Sequence, residues 1–255
     1  MEINETLSAI VTGGASGLGE ATARMLSSMG AKVAIFDLDI EKGSTIAKEL
    51  NSDFYEVDVS DVNSVNQAVL DFSKQYEGIQ VAVNCAGIGP AAKTVSRGEA
   101  HSSELFAKVI NINLIGTFNV ASVCAAQMVK NDKYSEDGLR GVIINTASVA
   151  AYDGQVGQAA YSASKGGVVG LTLPMARDLS DKGVRVCSIA PGLFLTPLLE
   201  SLPNEVQESL GGQVPFPSRL GKPKEFAQLV CHIIENDMLN GEVIRLDGAI
   251  RMAPR

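Results

Sequence analysis

Two kinds of hydrophobic pattern alternate along the chain. Short, almost continuous apolar runs end in glycine or a small polar residue, which is typical of strands buried on both faces of a parallel sheet. Between them, apolar residues recur every three to four positions, the spacing of one helix face. The alternation predicts an α/β fold, in which a doubly wound, seven-stranded parallel sheet carries helices on both faces.

The predicted strands cover residues 8–12, 32–36, 53–57, 80–83, 142–146, 184–189 and 243–246. The predicted helices cover residues 20–29, 40–50, 62–76, 104–129, a segment through Tyr161 and Lys165 to about 179, and 223–236. Residues 89–103 and 131–140 read as polar loops, and Pro215, Pro217 and Gly221 indicate an irregular region before the last helix.

The composition fits a single domain over residues 1–255. A chain of 255 residues with 45% hydrophobic residues can bury one large core, and no repeat or linker divides it. Its four cysteines are far apart and lie among apolar neighbours, which indicates buried thiols in a reducing compartment. Because the first strand starts by about Ser8 and no apolar run approaches membrane length, we expect a cytoplasmic protein.

A net charge of -8 argues against nucleic-acid and membrane-surface partners, because it gives no general attraction to phosphate backbones or anionic lipid. The two histidines lie in no ligand pattern, so neither a histidine-rich metal site nor a histidine-based triad is expected. An anionic ligand must therefore be held by local features.

The first strand runs into a cluster of glycines. Gly13, Gly17 and Gly19 stand in the sequence Gly-Gly-Ala-Ser-Gly-Leu-Gly, directly before a helix. Such glycines let the backbone approach a pyrophosphate, whose charge meets free N–H groups and the positive end of the helix dipole. Turns need glycine anyway, so the cluster alone is weak evidence; the strand–turn–helix context favours a dinucleotide site.

Asp37 ends the second strand. An acidic side chain at this place can accept hydrogen bonds from both ribose hydroxyls of an adenosine and would repel a 2′-phosphate. Leu38 and Ser16 offer no cation for such a phosphate, so the cofactor indicated is NAD rather than NADP. The alternative is that Asp37 caps the next helix, although Asp39 suits that role better.

Tyr161 and Lys165 are four residues apart, so a helix places them on one face. A nearby ammonium can lower a tyrosine pKa by about 1 to 3 units and make the phenol a proton shuttle. On spacing alone, an accidental pair on a surface helix is the more frequent explanation. Asn113, in an apolar helical stretch, is either a structural hydrogen-bonder or part of a site.

Further motifs make chance unlikely by their order and spacing: residues 12–19, Asn84-Cys85-Ala86-Gly87, Ser148, Tyr161-x-x-x-Lys165 and Pro191-Gly192. Together they resemble the short-chain dehydrogenase/reductase family over essentially the entire chain. Residues 141–150, 190–194, 213–221 and 240–252 are similar to the type-2 3-hydroxyacyl-CoA dehydrogenases within it. The resemblance implies a Rossmann fold, NAD-dependent interconversion of a secondary alcohol and a ketone, and a homotetramer with the C-terminal tail at an interface.

The resemblance also implies residue roles. Tyr161 would be the general acid/base, Lys165 would lower its pKa and hold the nicotinamide ribose, Ser148 would stabilise charge on the substrate oxygen, and Asn113 would anchor a water. The cofactor would lie against a larger set besides Tyr161 and Lys165: Gly13, Ser16, Gly17, Leu18, Gly19, Asp37, Asp58, Val59, Asn84, Cys85, Ala86, Gly87, Pro191, Gly192, Phe194 and Thr196. Cys85 would contribute mainly its backbone.

The substrate is less well specified. Apolar residues 193–199 favour a lipophilic acyl or ring substrate, or are only a helix packed on the core. Gln155 and Gln158 could meet a thioester or amide oxygen, and Phe194 and Leu195 would close over the substrate beside Ser148 and Tyr161. Coenzyme A would need cations at the pocket mouth; the candidates, which ordinary solvation also explains, are Lys93, Arg97, Arg219 and Lys222.

The leading hypothesis is oxidation of an (S)-3-hydroxyacyl-CoA to a 3-oxoacyl-CoA with NAD. A hydroxysteroid or other secondary-alcohol dehydrogenase would use the same catalytic set. A 3-oxoacyl carrier-protein reductase is disfavoured by Asp37. A dinucleotide-binding scaffold without turnover is disfavoured by the intact Ser148, Tyr161, Lys165 and Asn113.

Overall fold

The computed structural model describes residues 1–76 and 78–254. Its strands are β1 (Ser8–Thr12), β2 (Lys32–Asp37), β3 (Asp53–Glu56), β4 (Val81–Asn84), β5 (Val95–Ser96), β6 (Glu99–Ala100), β7 (Gly141–Thr146), β8 (Val184–Pro191) and β9 (Val243–Leu246). Seven of them form one sheet in the order β3-β2-β1-β4-β7-β8-β9, and every pairing within it is parallel. The predicted seven-stranded parallel sheet is confirmed.

Helices cover both faces of this sheet. In the described residues they are α1 (Gly17–Ser28), α2 (Ile40–Leu50), α3 (Val62–Gln75), α4 (Ser103–Ile110), α5 (Gly116–Met128), α6 (Ala159–Asp178), α7 (Pro197–Glu200), α8 (Asn204–Gly211) and α9 (Pro223–Glu235). One core cluster joins α1 and α9 to the sheet through side chains such as Leu26 and Phe226. A second cluster joins α3 and α5 to it through Phe72 and Met128. Both faces are therefore buried, as the continuous apolar strands predict.

The chain departs from the predicted elements at three places. A π-helical turn, Asn111–Ile115, separates α4 from α5, where one continuous helix over residues 104–129 was expected. Apolar spacing cannot reveal this turn, because it shifts the helix face by only about one residue. The predicted loop over residues 89–103 contains the exposed hairpin β5–β6. The mostly exposed α8 was not predicted, since it lacks a strong apolar stripe.

The continuous helical stretch Ser103–Met128 is long and apolar enough to cross a membrane by length and composition, with a mean hydropathy of 1.6 over 18 residues. The expectation that no apolar run approaches membrane length is therefore wrong. Half of that window is buried inside the protein, where Val120 and Cys124 are fully covered in the core. Core helices of globular proteins pass the same test of composition.

The strand order places a crevice at one edge of the sheet. β1 and β4 are neighbours, but the chain continues from β1 to β2 on one side and from β4 to β7 on the other. The carboxyl ends of β1 and β4 therefore diverge at a topological switch point, where open parallel sheets bind ligands. Asp37, Asn84, Thr146 and Pro191 end their strands at this same edge.

Candidate active site

Close backbone packing shapes the glycine turn after β1. Gly13 has a φ of 64°, and a Cβ there would lie 2.8 Å from the backbone nitrogen of Ala86. A Cβ on Gly19 would collide with the carbonyl of Gly13, so α1 can start against the turn only without a side chain at residue 19. Ser16, the N-cap of α1, makes no side-chain capping hydrogen bond. The first-turn N–H groups are thus available to a phosphate, as a pyrophosphate site requires.

The Asp37 carboxylate is fixed at the end of β2 by two backbone donors. The N–H of Ala15, inside the glycine turn, donates to Asp37 Oδ2 at 3.0 Å, and the N–H of Asp39 donates to Oδ1 at 3.0 Å. The cap of α2 is Asp39, whose side chain accepts from the N–H of Lys42 at 3.0 Å. The alternative role of Asp37 as a helix cap is therefore excluded, and its carboxylate stands beside the turn.

Thr12 joins the ends of β1 and β4. Its hydroxyl accepts from the N–H groups of Cys85 and Ala86, each at 3.1 Å. Burial raises the pKa of the Cys85 thiol to about 11, although hydrogen bonding by Thr146 and the charge of Lys165 lower it. The thiol is therefore a poor nucleophile, which agrees with the expectation that Cys85 contributes mainly its backbone.

The other predicted strand-end residues hold their loops in place. Asn84 is buried, and its Nδ2 donates to Asn145 Oδ1 at 2.9 Å, so a contact between Asn84 and a cofactor would have to use the backbone. Asp58 Oδ1 accepts from both the N–H and the hydroxyl of Ser60, at 2.9 and 2.7 Å. The buried Val59 accepts through its carbonyl from Asn119 Nδ2 at 3.0 Å.

The segment after β8 covers the glycine turn. A Cβ on Gly17 would lie 3.3 Å from Pro197 Cδ and 3.6 Å from Thr196 Cγ2, so these residues face the turn. The Phe194 ring, by contrast, is buried in the core and packs on Gly221. Phe194 also lines a cavity together with Leu246 and Asp247, so its expected contact with cofactor and substrate stays a prediction. Leu195 is half-buried, and the side chain of Leu198 lies outside the described residues.

Lys165 is buried beneath the predicted catalytic tyrosine. Its Nζ donates to the carbonyl of Thr146 at 2.6 Å and lies 5.8 Å from the centre of the Tyr161 ring. The side chain is only 4% exposed, and this burial lowers the pKa of Lys165 to about 8, against a smaller raising effect of Cys85. A lysine enclosed in this way is a functional-site candidate, because ordinary surface lysines keep their charge hydrated.

The pKa of Tyr161 differs from the expectation. Burial raises the pKa of Tyr161, and a hydrogen bond with Ser148 lowers it by less. The expected lowering by Lys165 is not seen, because the ammonium lies beside the ring and bonds to Thr146. Ser148 is itself 7% exposed, and its hydroxyl accepts from the N–H of Ala150 at 3.1 Å.

Asn113 finds its polar partners in the loop after β4 and on α6. Its amide exchanges two hydrogen bonds with the backbone of Ile88, both at 2.8 Å, and its Nδ2 also donates to Ser164 Oγ at 3.1 Å. A Cβ on Gly87 would lie 3.1 Å from Asn113 Oδ1 and 3.7 Å from Lys165 Nζ. Asn113 therefore ties three elements together around Lys165, and its role as a water anchor stays a prediction.

The two predicted substrate glutamines lie at one cavity. The cavity has a volume of about 480 Å³ and is lined by Lys93, Thr94, Val95, residues 154–159 and Ser162. Gln158 Oε1 accepts from the N–H of Gln155 at 3.0 Å, and Gln155 Nε2 donates to the carbonyl of Ala253 at 2.9 Å. Both amides are thus oriented by the protein before a substrate arrives.

The candidate cations for coenzyme A separate into different places. Lys93 lines the cavity. Arg219 donates two hydrogen bonds to the Glu225 carboxylate, at 2.6 and 2.9 Å. The Arg219 guanidinium thereby lowers the pKa of Glu225 to about 2. Arg97 lies in the turn of the exposed β5–β6 hairpin, and Lys222 is the N-cap of α9. Of the four, Lys93 is the one placed at the cavity with the glutamines.

Sequence reasoning missed three polar residues that organise the site: Thr12, Thr146 and Ser164. Each stands one or two positions before a recognised motif residue, namely Gly13, Ser148 and Lys165. That proximity is the signal that could have found them. In residues 1–76 and 78–254, no group of three or more His, Cys, Asp or Glu side chains could hold a metal ion.

Comparison with known proteins covers nearly the whole chain. The family model for short chain dehydrogenase matches residues 8–207. A 3-hydroxyacyl-CoA dehydrogenase type-2 of Bos taurus is 57% identical over 252 residues, which are 97% of this chain and 96% of the relative. One of Drosophila melanogaster is 54% identical, with 96% and 97% covered. The crystal structure of a 3-hydroxyacyl-CoA dehydrogenase type-2 from Mycobacterium avium is 44% identical, covers 98% of both chains and superposes with a TM-score of 0.94.

Proposed function

The chain belongs to the short-chain dehydrogenase family, and we propose that it oxidises a 3-hydroxyacyl-CoA to a 3-oxoacyl-CoA with NAD. The family makes it an oxidoreductase that uses a nicotinamide dinucleotide and acts on a small molecule. A scaffold without turnover is thereby set aside. The observation that carries the proposal is the joint presence of Ser148, Tyr161 and buried Lys165 at a sheet edge whose glycine turn suits a dinucleotide.

The residues present fit that cofactor. A Cβ on Gly13 or Gly19 would collide with backbone atoms of the turn, so only glycine allows this tight turn, and α1 presents uncapped first-turn N–H groups there. When bound, NAD would supply the acceptor for the hydride that leaves the substrate carbon. Tyr161 takes the proton of the substrate hydroxyl, and Ser148 holds the same oxygen and stabilises the charge that develops on it. Lys165, fixed by Thr146, holds a positive charge beneath Tyr161.

The preference for NAD over NADP rests on the fixed carboxylate of Asp37. Replacing it in Asp37→Ser removes the ribose acceptor and the charge that repels a 2′-phosphate, so kcat/KM for NADP is expected to rise relative to NAD. The matched control is Asp39→Ser, which changes a neighbouring carboxylate but keeps a side chain able to cap α2. An unchanged ratio in Asp37→Ser, or an equal change in Asp39→Ser, contradicts the role of Asp37.

The substrate is tested by the formation or consumption of NADH. Purified protein is assayed with 3-hydroxybutyryl-CoA and acetoacetyl-CoA, and in parallel with the free hydroxy acid and a panel of steroid alcohols. We expect the highest kcat/KM for the CoA thioesters, since the cavity joins two oriented glutamines to Lys93. A higher kcat/KM for a steroid alcohol overturns the assignment in favour of a hydroxysteroid dehydrogenase.

Two further proposals concern the setting of the enzyme. The thiols of Cys85, Cys124, Cys187 and Cys231 are free, which supports the proposed cytoplasmic location because a reducing compartment keeps them so. Fractionation of the source cells with an antibody against the chain tests it, and recovery in another compartment contradicts it. We also propose a homotetramer, in which exposed apolar side chains of α4 and α5 such as Phe106 and Phe118 would contact a second copy of the chain.

A further inference from the structure

Arg245, on the edge strand β9, is the centre of a charged cluster outside the catalytic set. Its Nε donates to Asp247 Oδ2 at 2.7 Å, and its Nη2 donates to Asp153 Oδ2 at 2.7 Å. Nη2 also donates to the carbonyl of Ile250 at 3.0 Å, and the guanidinium lies 5.2 Å from the ring centre of Tyr152. One planar cation thus bonds in three directions, which a lysine could not reproduce.

One partner of Arg245 belongs to the loop that carries the catalytic serine. The N–H of Asp153 donates to the carbonyl of Val149 at 2.9 Å, and the N–H of Ala151 donates to the carbonyl of Ser148 at 3.0 Å. Asp153 therefore closes the short 3₁₀ turn that begins directly after Ser148. A movement of Asp153 would displace this turn, and with it the Ser148 hydroxyl.

The other partner, Asp247, packs against the turn after β8. A Cβ on Gly192 would lie 2.8 Å from Asp247 Cβ, and the N–H of Gly192 donates to the carbonyl of Leu246 at 3.0 Å. Asp247 Oδ1 accepts from the N–H of Ala249 at 2.9 Å, which starts the turn into the C-terminal segment. Arg245 therefore connects the loop after β7 to the loop after β8.

The C-terminal segment continues along the first of these loops. Gln155 Nε2 donates to the carbonyl of Ala253 at 2.9 Å, and the N–H of Val156 donates to the carbonyl of Pro254 at 3.0 Å. Because Arg245 also bonds to Ile250, it fixes the start of the segment whose end orients Gln155. Hydrogen bonds thus join both the loop after Ser148 and Gln155 to the same guanidinium.

We propose that Arg245 is a positioning residue for catalysis, which holds the Ser148 loop and Gln155 in place through Asp153 and the C-terminal segment. The cluster is well shielded, since the side chains of Arg245, Asp153 and Asp247 are 21%, 17% and 7% exposed. Without the guanidinium, two carboxylates would face each other in this shielded place, and the loop would move to separate them.

The kinetic test compares Arg245→Met with Arg251→Met. Arg251 lies on the same segment and contacts Asp247 at 3.3 Å, but it is 64% exposed and no hydrogen bond joins it to Asp153 in the described residues. We expect kcat to fall by about tenfold to a hundredfold in Arg245→Met, because a small displacement of a catalytic group costs that much. Cofactor KM should stay close to the parent value, and Arg251→Met should stay within about twofold of the parent in kcat.

Two readouts separate positioning from a general loss of structure. The Ser148 hydrogen bond lowers the Tyr161 pKa, so in Arg245→Met the acidic limb of the oxidation pH profile should move to higher pH. Lys165, which lies beside the Tyr161 ring, and Cys85, which affects the pKa of Lys165, keep their contacts in that variant. Amide hydrogen exchange should also rise in residues 149–158 of Arg245→Met and not of Arg251→Met.

Asp153→Asn keeps the side-chain size and provides a second test if Arg245→Met folds poorly. Asp153→Asn should also lower kcat. In the double variant Arg245→Met/Asp153→Asn, the loss of kcat expressed as a free energy should be smaller than the sum of the two single losses. Equal kcat losses in the Arg245 and Arg251 variants, or an unshifted pH limb with unchanged exchange, overturn the proposal. The proposal rests on the proposed alcohol oxidation, so rates are measured with whichever alcohol the parent oxidises best. Hydrogen exchange needs no substrate, so failure of the proposed substrate is distinguishable from failure of the positioning role.

Discussion

At the scale of the residue, burial sets the charge states of Tyr161 and Lys165 in opposite directions. It raises the pKa of Tyr161 and lowers that of Lys165 to about 8, because each charged form loses hydration. The phenol is therefore protonated near neutral pH, which suits proton donation during ketone reduction. Alcohol oxidation needs the phenolate as base, so its rate should rise with pH.

Replacing the phenol tests the proton transfer directly. In Tyr161→Phe the ring that packs beside Lys165 remains, but the acid/base group is gone. We expect turnover to fall by at least about a hundredfold to ten-thousandfold, while NAD binding measured by calorimetry is retained. Activity near the parent level would contradict the catalytic assignment.

Lys165 should make the stability of the fold depend on pH above neutrality. The folded protein releases this proton near pH 8, whereas the unfolded chain holds it to about 10.5, so the unfolded chain binds more protons between those values. Raising the pH from 8 to 10.5 therefore favours the folded state, by up to about 3 kcal/mol. The effect is fully present above the unfolded pKa and is lost as pH falls through 8.

The measurement is the difference in unfolding free energy between the parent and Lys165→Met, by urea denaturation from pH 7 to 10. The parent should gain stability relative to the variant as pH rises. A constant difference would show that Lys165 does not titrate in this range.

At the scale of the element, the glycine turn depends on where α1 starts. A Cβ at Gly19 would collide with the carbonyl of Gly13 and push the helix away from the turn. Gly19→Ala is expected to lower the unfolding free energy by about 1–3 kcal/mol and to raise the Kd for NAD. Differential scanning calorimetry and NAD titration measure the two effects.

Gly170→Ala is the matched control for that change. Gly170 is an exposed residue of α6, and within the described part of the chain the position of its Cβ is open space. The same substitution there should stabilise the protein by about 0.4–1 kcal/mol and leave NAD affinity unchanged. Equal behaviour of the two variants would show that the Gly19 position carries no steric requirement.

At the scale of the whole molecule, α4 and α5 leave large apolar side chains exposed. Phe106, Ile115 and Phe118 are 39%, 44% and 46% exposed, and half of the apolar window in this helical stretch is not buried. Large exposed apolar side chains are typical of interaction surfaces, and in the proposed homotetramer these side chains would be covered by a second copy of the chain.

Sedimentation velocity tests the assembly. The parent should sediment as a tetramer, and Phe118→Glu should dissociate into smaller species, because a buried unpaired carboxylate is costly. Leu70→Glu, on the exposed face of α3 at 37% exposure, should leave the tetramer intact. A monomeric parent, or dissociation by both variants, contradicts the proposal.

Much of the fold was predictable because its signals are local. β1 has the predicted bounds, since an apolar run closed by a polar residue specifies a buried strand. β9 also has the predicted bounds, although this edge strand is half-buried and contains Arg245. The π-helical turn was not predictable, because its residue Asn113 forms its hydrogen bonds with Ile88 and Ser164, which belong to other elements. α8 was missed because an exposed helix needs no apolar stripe.

The candidate site divides in the same way. Asp37 and the glycine turn could be placed from their position at strand ends, where parallel strands bring ligands together. The packing of the Phe194 ring on Gly221 could not be placed, because apolar character suits a core position as well as a pocket and Gly221 is distant in the chain.

The sequence by itself determined the order of the seven sheet strands along the chain, the glycine turn before α1 and the pairing of Tyr161 with Lys165 on one helix face, because each depends on residues close together in the chain. Only the tertiary structure decided the charge states of that pair, since burial shifts both pKa values and Ser148 and Cys85 oppose it by less. It also decided the link from Arg245 to Asp153, which are 92 residues apart. Neighbours so distant in sequence leave no periodic or local trace, and folding alone brings them together.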